Sequence, residues 1–163
     1  MKAMFRVFLV VLLGLTLVSC SKFKTYKGEP VTKIEVHKAE RKLYLLSGKM
    51  VLKSYAINLG GNPIGHKQFE GDGKTPEGAY FITHKNPNST YHLSLGISYP
   101  DASDMTFAKA NGKPAGGDIF VHGGPNKRGQ SGDWTAGCIA VTDKQIEEIF
   151  AMVPAGTPIF IYP

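Results

Sequence analysis

Apolar and polar residues alternate in short runs along most of this chain. Residues 32–37 read Thr-Lys-Ile-Glu-Val-His, with Ile34 and Val36 on one side; 42–46 follow, and Ser47-Gly48-Lys49 turns the chain into 51–57. A period of two is what a half-buried strand requires, so these segments predict a meander of three strands. Further strands are predicted over 78–84, 118–122 and 157–162, with 58–75 as a glycine-rich connection. One segment has helical spacing instead. Over 143–153, Ile146, Ile149, Phe150 and Val153 share a face, Thr142 and Gln145 suit a capping box, and Pro154 with Gly156 ends the run. Short strands punctuated by 19 glycines and 10 prolines predict a mainly β domain with a short helix near its end.

The first twenty residues follow another pattern. Lys2 and Arg6 precede an almost wholly apolar run from Val7 to Val18, and Ser19 precedes Cys20. A bilayer span needs about 20 apolar residues, so this run reads as an export signal. Leu17-Val18-Ser19-Cys20 is similar to a bacterial lipobox, which implies cleavage before Cys20 and lipid on its thiol. A plain signal peptide cut nearby is the alternative. The expected organisation is a signal over 1–19, a tether over 20–30 and one domain over 31–163. With Ser21 rather than aspartate next, a Gram-negative host would carry the protein on the periplasmic face of its outer membrane.

Charge adds little. The net charge is +6, and losing Lys2 and Arg6 leaves 17 basic against 13 acidic residues, or +4. That suits an anionic wall or lipid surface. Export and the lack of a basic helix or aromatic platform argue against nucleic acid.

The candidate chemistry lies in Val121-His122-Gly123-Gly124 and Trp134-Thr135-Ala136-Gly137-Cys138. If Cys20 carries lipid, Cys138 has no disulfide partner, and an unpaired thiol in an oxidising compartment is exposed to damage unless it has a use. A thiol nucleophile needs a base, and His122 at a strand end can supply one. Gly137 lets the backbone bend so that N–H groups converge on an oxyanion. A buried structural cysteine and a packed histidine are the competing account.

The run from His122 to Cys138 resembles the signature of the L,D-transpeptidase (YkuD-type) family: histidine, glycine, then Ser/Thr-x-Gly-Cys, here Thr135-Ala136-Gly137-Cys138. Gly71-Asp72-Gly73-Lys74-Thr75-Pro76-Glu77-Gly78 resembles the family's Thr-Pro-x-Gly segment. The resemblance covers about 31–163 and implies the family's β-sandwich. It implies a peptidoglycan stem-peptide substrate, a thioester on Cys138, release of D-alanine, and resolution by an amine or by water, without metal or nucleotide. It assigns Cys138 as nucleophile, His122 as base, the Gly123 carbonyl as ring orienter, and the main-chain N–H groups of Ala136, Gly137 and Cys138 as the oxyanion hole. Thr135 steadies the loop or touches substrate.

Two positions depart from the family. Ala136 stands where histidine is frequent, and Ala140 where arginine or asparagine is frequent, which removes a polar group expected to hold the donor stem. Tyr91-His92-Leu93-Ser94 is similar to a branch that hydrolyses the link between peptidoglycan and a wall-attached lipoprotein; synthesis and cleavage therefore both stay open. Tyr91 and His92 are candidate substrate contacts, and His92 is the rival base. Trp134 is expected in the core, Lys127 and Arg128 on a solvated loop, and His37, His66 and His84 in packing or surface roles. Asp101, Asp104 and Asp118 share no spacing with a histidine pair, so no metal site is expected. A non-catalytic wall-binding lipoprotein and a structural envelope partner are the readings from other classes.

Overall fold

The computed structural model describes residues 21–124 and 132–163. The signal, Cys20, Lys127 and Arg128 lie outside the described residues. Among the described residues, eight strands and two helices follow in the order β1 (Lys33–His37), β2 (Lys42–Ser47), β3 (Met50–Ala56), β4 (Gly78–Asn86), β5 (Ser94–Ile97), α1 (Ala102–Ala110), β6 (Phe120–His122), β7 (Ile139–Ala140), α2 (Asp143–Met152) and β8 (Pro158–Tyr162). The mainly β expectation is met, with the strands joined in one curled sheet ordered β3-β2-β1-β8-β4-β5-β6-β7.

β1 and β2 pair because alternation gives each one apolar face, and β3 joins them through Tyr55, its one buried residue. Ile34 pairs with Leu45 and Val36 with Leu43, and all four are fully buried. Removing each such side chain from water stabilises the fold by about 1.5–3 kcal/mol. β8, the last strand, lies between β1 and β4, parallel to the first and antiparallel to the second. Ile159 and Ile161 carry the core across that junction.

Helix α2 has the predicted Thr142–Gln145 capping box, buries Ile146, Ile149 and Met152, and packs on β5 and β6. Helix α1 inverts the usual pattern: Met105 and Phe107 are exposed, whereas Asp104 is buried. Asp104 is satisfied by the Asp101 N–H at 2.9 Å, the Tyr80 hydroxyl at 3.1 Å and His66 at 2.9 Å. A polar network therefore docks this helix in place of an apolar stripe.

The connection 57–77 is stapled by two buried cations. Lys38 Nζ donates to Gly65 O, Thr75 O and Glu77 Oε1, at 2.7, 3.2 and 2.7 Å. Lys67 Nζ donates to Asp72 Oδ1 and Phe69 O, both at 2.9 Å. A charge taken out of water persists only with partners of this kind. Residues 21–30 have no regular structure but lie on the domain. Lys22 Nζ donates to Pro87 O, Phe23 packs on Phe150, and Lys24 pairs with Glu147 and Glu148.

Candidate active site

The two motifs meet through the short parallel ladder of β6 and β7, which sets Val121 beside Ile139 and His122 beside Ala140. Cys138 immediately precedes β7 and His122 ends β6. Their side chains line one cleft of about 320 Å³, together with Tyr91, Ser94, Asp118 and Phe120.

The turn that presents Cys138 is built around the Thr135 hydroxyl, which donates to Cys138 O at 2.7 Å and accepts from the Gly137 N–H at 3.1 Å. Its main chain is fixed too, with Thr135 N–H donating to Leu59 O and Gly61 N–H to Thr135 O, each at 3.0 Å. Gly137 has φ 137°, and a Cβ there would lie 2.6 Å from Lys74 O. Behind it, a Cβ on Gly60 would lie 2.0 Å from Gly73 O and 3.1 Å from Gly137 Cα. Three backbones thus converge where only glycine fits. This packing explains why the Thr75-Pro76-Glu77-Gly78 segment, far away in sequence, belongs to the site: Thr75 is fully buried and its hydroxyl accepts from the Gly60 N–H at 3.2 Å. The bond to Thr135 occupies the Gly137 N–H, one of the three expected oxyanion donors. Ala136 is exposed on the same turn.

His122 is buried, and its Nδ1 lies 2.6 Å from Gly123 O. A carbonyl only accepts, so Nδ1 carries the proton and Nε2 is left with its lone pair. Gly123 leaves no room for a side chain, since a Cβ would lie 2.6 Å from Asp143 Oδ1, and that carboxylate accepts from the Gly124 N–H at 2.9 Å. The first residue of α2 thus pins the orienting segment. Tyr91 stacks on the imidazole at 4.4 Å between centroids, and Trp134 meets its edge at 5.7 Å.

Burial lowers the His122 pKa, and the bond to Gly123 opposes this only partly. Burial pushes the Cys138 thiol up, against a main-chain hydrogen bond involving Phe120. Both shifts favour neutral groups. Burial thus works against a thiolate–imidazolium pair, and the Cys138 thiol lies within donating distance of Asp118 O at 3.4 Å. A thiol and a neutral imidazole can act by general-base transfer as the sulfur attacks.

The remaining candidates separate clearly. Tyr91 lines the cleft; His92 does not, because its Nε2 meets Glu147 Oε1 on α2 at 2.9 Å while its backbone adopts φ 72°. Thr135 steadies the turn. Ala140 has no exposed surface, so that position offers substrate no direct contact. Trp134, expected in the core, is half-buried against His122 and Tyr91. His66 accepts from the Glu77 N–H and so donates through Nε2 to Asp104. His37 packs on Tyr44 and Tyr162, and His84 on Phe120. No group of three metal-ligating side chains is present among the described residues. The cleft wall formed by Asn86, Asn88, Ser89 and Thr90 carries no sequence signal; only the β4–β5 connection brings it there.

The L,D-transpeptidase catalytic domain family, YkuD, matches residues 32–161. A curated Escherichia coli K12 protein named "Putative L,D-transpeptidase YafK" is 34% identical over 151 residues, covering 86% of this chain and 55% of its own. The helical cell shape determining protein Pgp2 of Campylobacter jejuni is 27% identical with a TM-score of 0.65, over 83% of this chain and 49% of Pgp2. An L,D-transpeptidase from Mycobacterium smegmatis shares the fold at 16% identity and a TM-score of 0.56, over 83% and 60% of the two chains. The chain thus spans about half the length of YafK and Pgp2. With the family matched across nearly the whole described domain, this chain belongs to the YkuD family of L,D-transpeptidase catalytic domains.

Proposed function

We propose that this protein is a cysteine acyltransferase acting on the stem peptide of peptidoglycan. The observation that carries the reading is the shared cleft of Cys138 and His122, with the imidazole tautomer set by Gly123. His122 Nε2 takes the thiol proton as Sγ attacks the carbonyl of the third stem residue. The imidazolium returns that proton to the departing D-alanine nitrogen as the C–N bond breaks, leaving a thioester. An amine then attacks the thioester, His122 removes its proton, and Cys138 leaves with one; water in place of the amine gives hydrolysis. The main-chain N–H groups of Cys138 and Ala136 face the developing oxyanion, and each such donor contributes about 3 kcal/mol.

The basic start, the apolar run and the lipobox-like Leu17-Val18-Ser19-Cys20 support export and lipid attachment at Cys20. This reading gives the protein a wall-building or wall-trimming role linked to cell shape. The test incubates the full-length protein in detergent with disaccharide-tetrapeptide, with and without a lipoprotein-linked wall fragment, beside Cys138→Ala. Loss of D-alanine with a new crosslink supports transpeptidation. Release of the linked peptide alone makes the protein a hydrolase, and no Cys138-dependent product refutes the enzyme reading.

A further inference from the structure

The segment ahead of β1 reaches back to the cleft. Ser21, Phe23, Lys24 and Thr25 are exposed, whereas Lys22 is half-buried. Its Nζ donates to Pro87 O at 2.7 Å and to His92 O at 3.3 Å. Those two carbonyls mark the ends of the connection that leaves β4 after Asn86 and enters β5 at Ser94. Asn88, Ser89, Thr90 and Tyr91, which lie between them, all line the cleft with Cys138 and His122. One ammonium therefore closes the loop that forms a wall of the site.

The chemistry suits the place. Two carbonyls that face one point need a donor there, and an ammonium supplies three donors on a single atom, with charge to strengthen each bond. The pair of His92 with Glu147 ties the loop to α2 at one end alone. Lys22 is itself held, because Phe23 packs on Phe150 at 6.3 Å between centroids and Lys24 Nζ meets Glu147 at 3.4 Å and Glu148 at 3.7 Å. All three partners belong to α2, whose first residue, Asp143, pins Gly124 beside the base. Tyr91 and His122 are tied separately: Tyr91 O accepts from the Gly123 N–H at 3.1 Å, and the imidazole keeps its bond to Gly123 O. Loss of the ammonium therefore loosens the wall between Pro87 and Tyr91 and leaves the base in place.

We propose that Lys22 is a positioning residue of the reaction: its ammonium clamps the 87–92 loop into a firm wall against which substrate binds, acting through that loop and not on the reacting atoms. The proposal deepens the acyl-transfer reading and rests on it.

The test compares full-length protein in detergent as parent, Lys22→Met and Lys22→Arg. Methionine keeps a long unbranched side chain but donates nothing, and arginine restores charge and donors. The substrate is the disaccharide-tetrapeptide or the lipoprotein-linked fragment, whichever gives a Cys138-dependent product. KM rises about ten-fold in Lys22→Met with kcat within about two-fold, and Lys22→Arg returns KM to within about three-fold of the parent. Amide hydrogen exchange of the unliganded protein is the second readout: segment 87–93 exchanges about ten-fold faster in Lys22→Met, while 143–152 is unchanged. An unchanged KM, a fall in kcat at constant KM, no rescue by arginine, or unchanged exchange over 87–93 overturns the proposal. The acyl-transfer reading fails separately, when neither fragment gives a Cys138-dependent product from the parent, and the exchange measurement alone then decides the clamp.

Discussion

Substituting Gly60 by alanine tests whether the nucleophile's turn depends on the close convergence of three backbones. The new methyl would sit 2.0 Å from Gly73 O, 2.9 Å from Gly73 C and 3.1 Å from Gly137 Cα, where contacts under 3.0 Å are essentially never tolerated. Every one of these atoms is main chain, so relief requires separating two segments by about 1 Å rather than turning a side chain. Those segments are tied together by Asn62 N–H to Gly73 O at 3.0 Å and Gly60 N–H to the Thr75 hydroxyl at 3.2 Å. Overpacking costs about 2–3 kcal/mol, and weakening one of these bonds adds about 1 kcal/mol. Gly60→Ala should therefore lose about 3–4 kcal/mol in urea unfolding and about 10 °C in Tm. Because Gly137 Cα is one of the atoms displaced, acylation of Cys138 by a carbapenem, followed by mass spectrometry, should slow at least ten-fold at temperatures where the variant stays folded. Gly48→Ala is the control: its φ is 57° but nothing lies within 4 Å of the added methyl, so only about 1 kcal/mol of backbone strain is expected and no change in acylation. A Gly60→Ala protein within about 0.5 kcal/mol of the parent, acylating at the parental rate, would refute the convergence argument.

Three further outcomes follow from the same geometry. His122→Asn should cut carbapenem acylation by about 10²–10⁴, whereas His92→Asn, which breaks only the pair with Glu147, should acylate within about two-fold of the parent; the reverse order would make His92 the base. Iodoacetamide labelling of Cys138 should keep rising with pH beyond the ordinary thiol value of 9.0, because burial holds the folded thiol above it; a plateau reached below about pH 7 would mean a thiolate–imidazolium pair. At Asp72, burial disfavours ionisation, but N–H groups of Phe69, Gln68 and Lys74 and the Lys67 ammonium outweigh it and hold the carboxyl at about 2 against 3.8. A depressed carboxyl contributes stability above its unfolded value, so about 2 kcal/mol should be lost as pH falls from about 4 to 2, and Asp72→Asn should show a shallower loss in acid unfolding curves.

The legible parts of the fold are those where burial follows a simple period. The β1–β2–β3 meander and α2 were readable because Ile34, Val36, Leu43 and Leu45, or Ile146 and Ile149, repeat at strand or helix spacing. Helix α1 escaped because its buried residue is Asp104 and its large apolar residues face solvent, so its docking depends on partners supplied by Tyr80 and His66. Strand β5 escaped because all four of its residues are buried and show no alternation, and β7 because two residues cannot display a period. At the site, residue types singled out Cys138, His122 and Gly123 as candidates, but only the β6–β7 ladder brings the first two to one cleft. Tyr91 and His92 are adjacent in sequence and part in space, one toward the imidazole and the other toward α2, because His92 takes a left-handed backbone. Nothing in the sequence distinguished Asp118 from the aspartates that cap α1.

The place of β8 in the sheet bears on how the chain is made. β8 joins β1–β3 to β4–β7, so a nascent chain that has reached only Thr157 has two half-sheets with bare edges on β1 and β4. Neither half can close its core across that gap, and unpaired edges invite pairing with other chains. Native structure must wait for β8 to emerge, and a frameshift or stop codon ahead of Pro158 should yield an aggregating product rather than a slightly shortened domain.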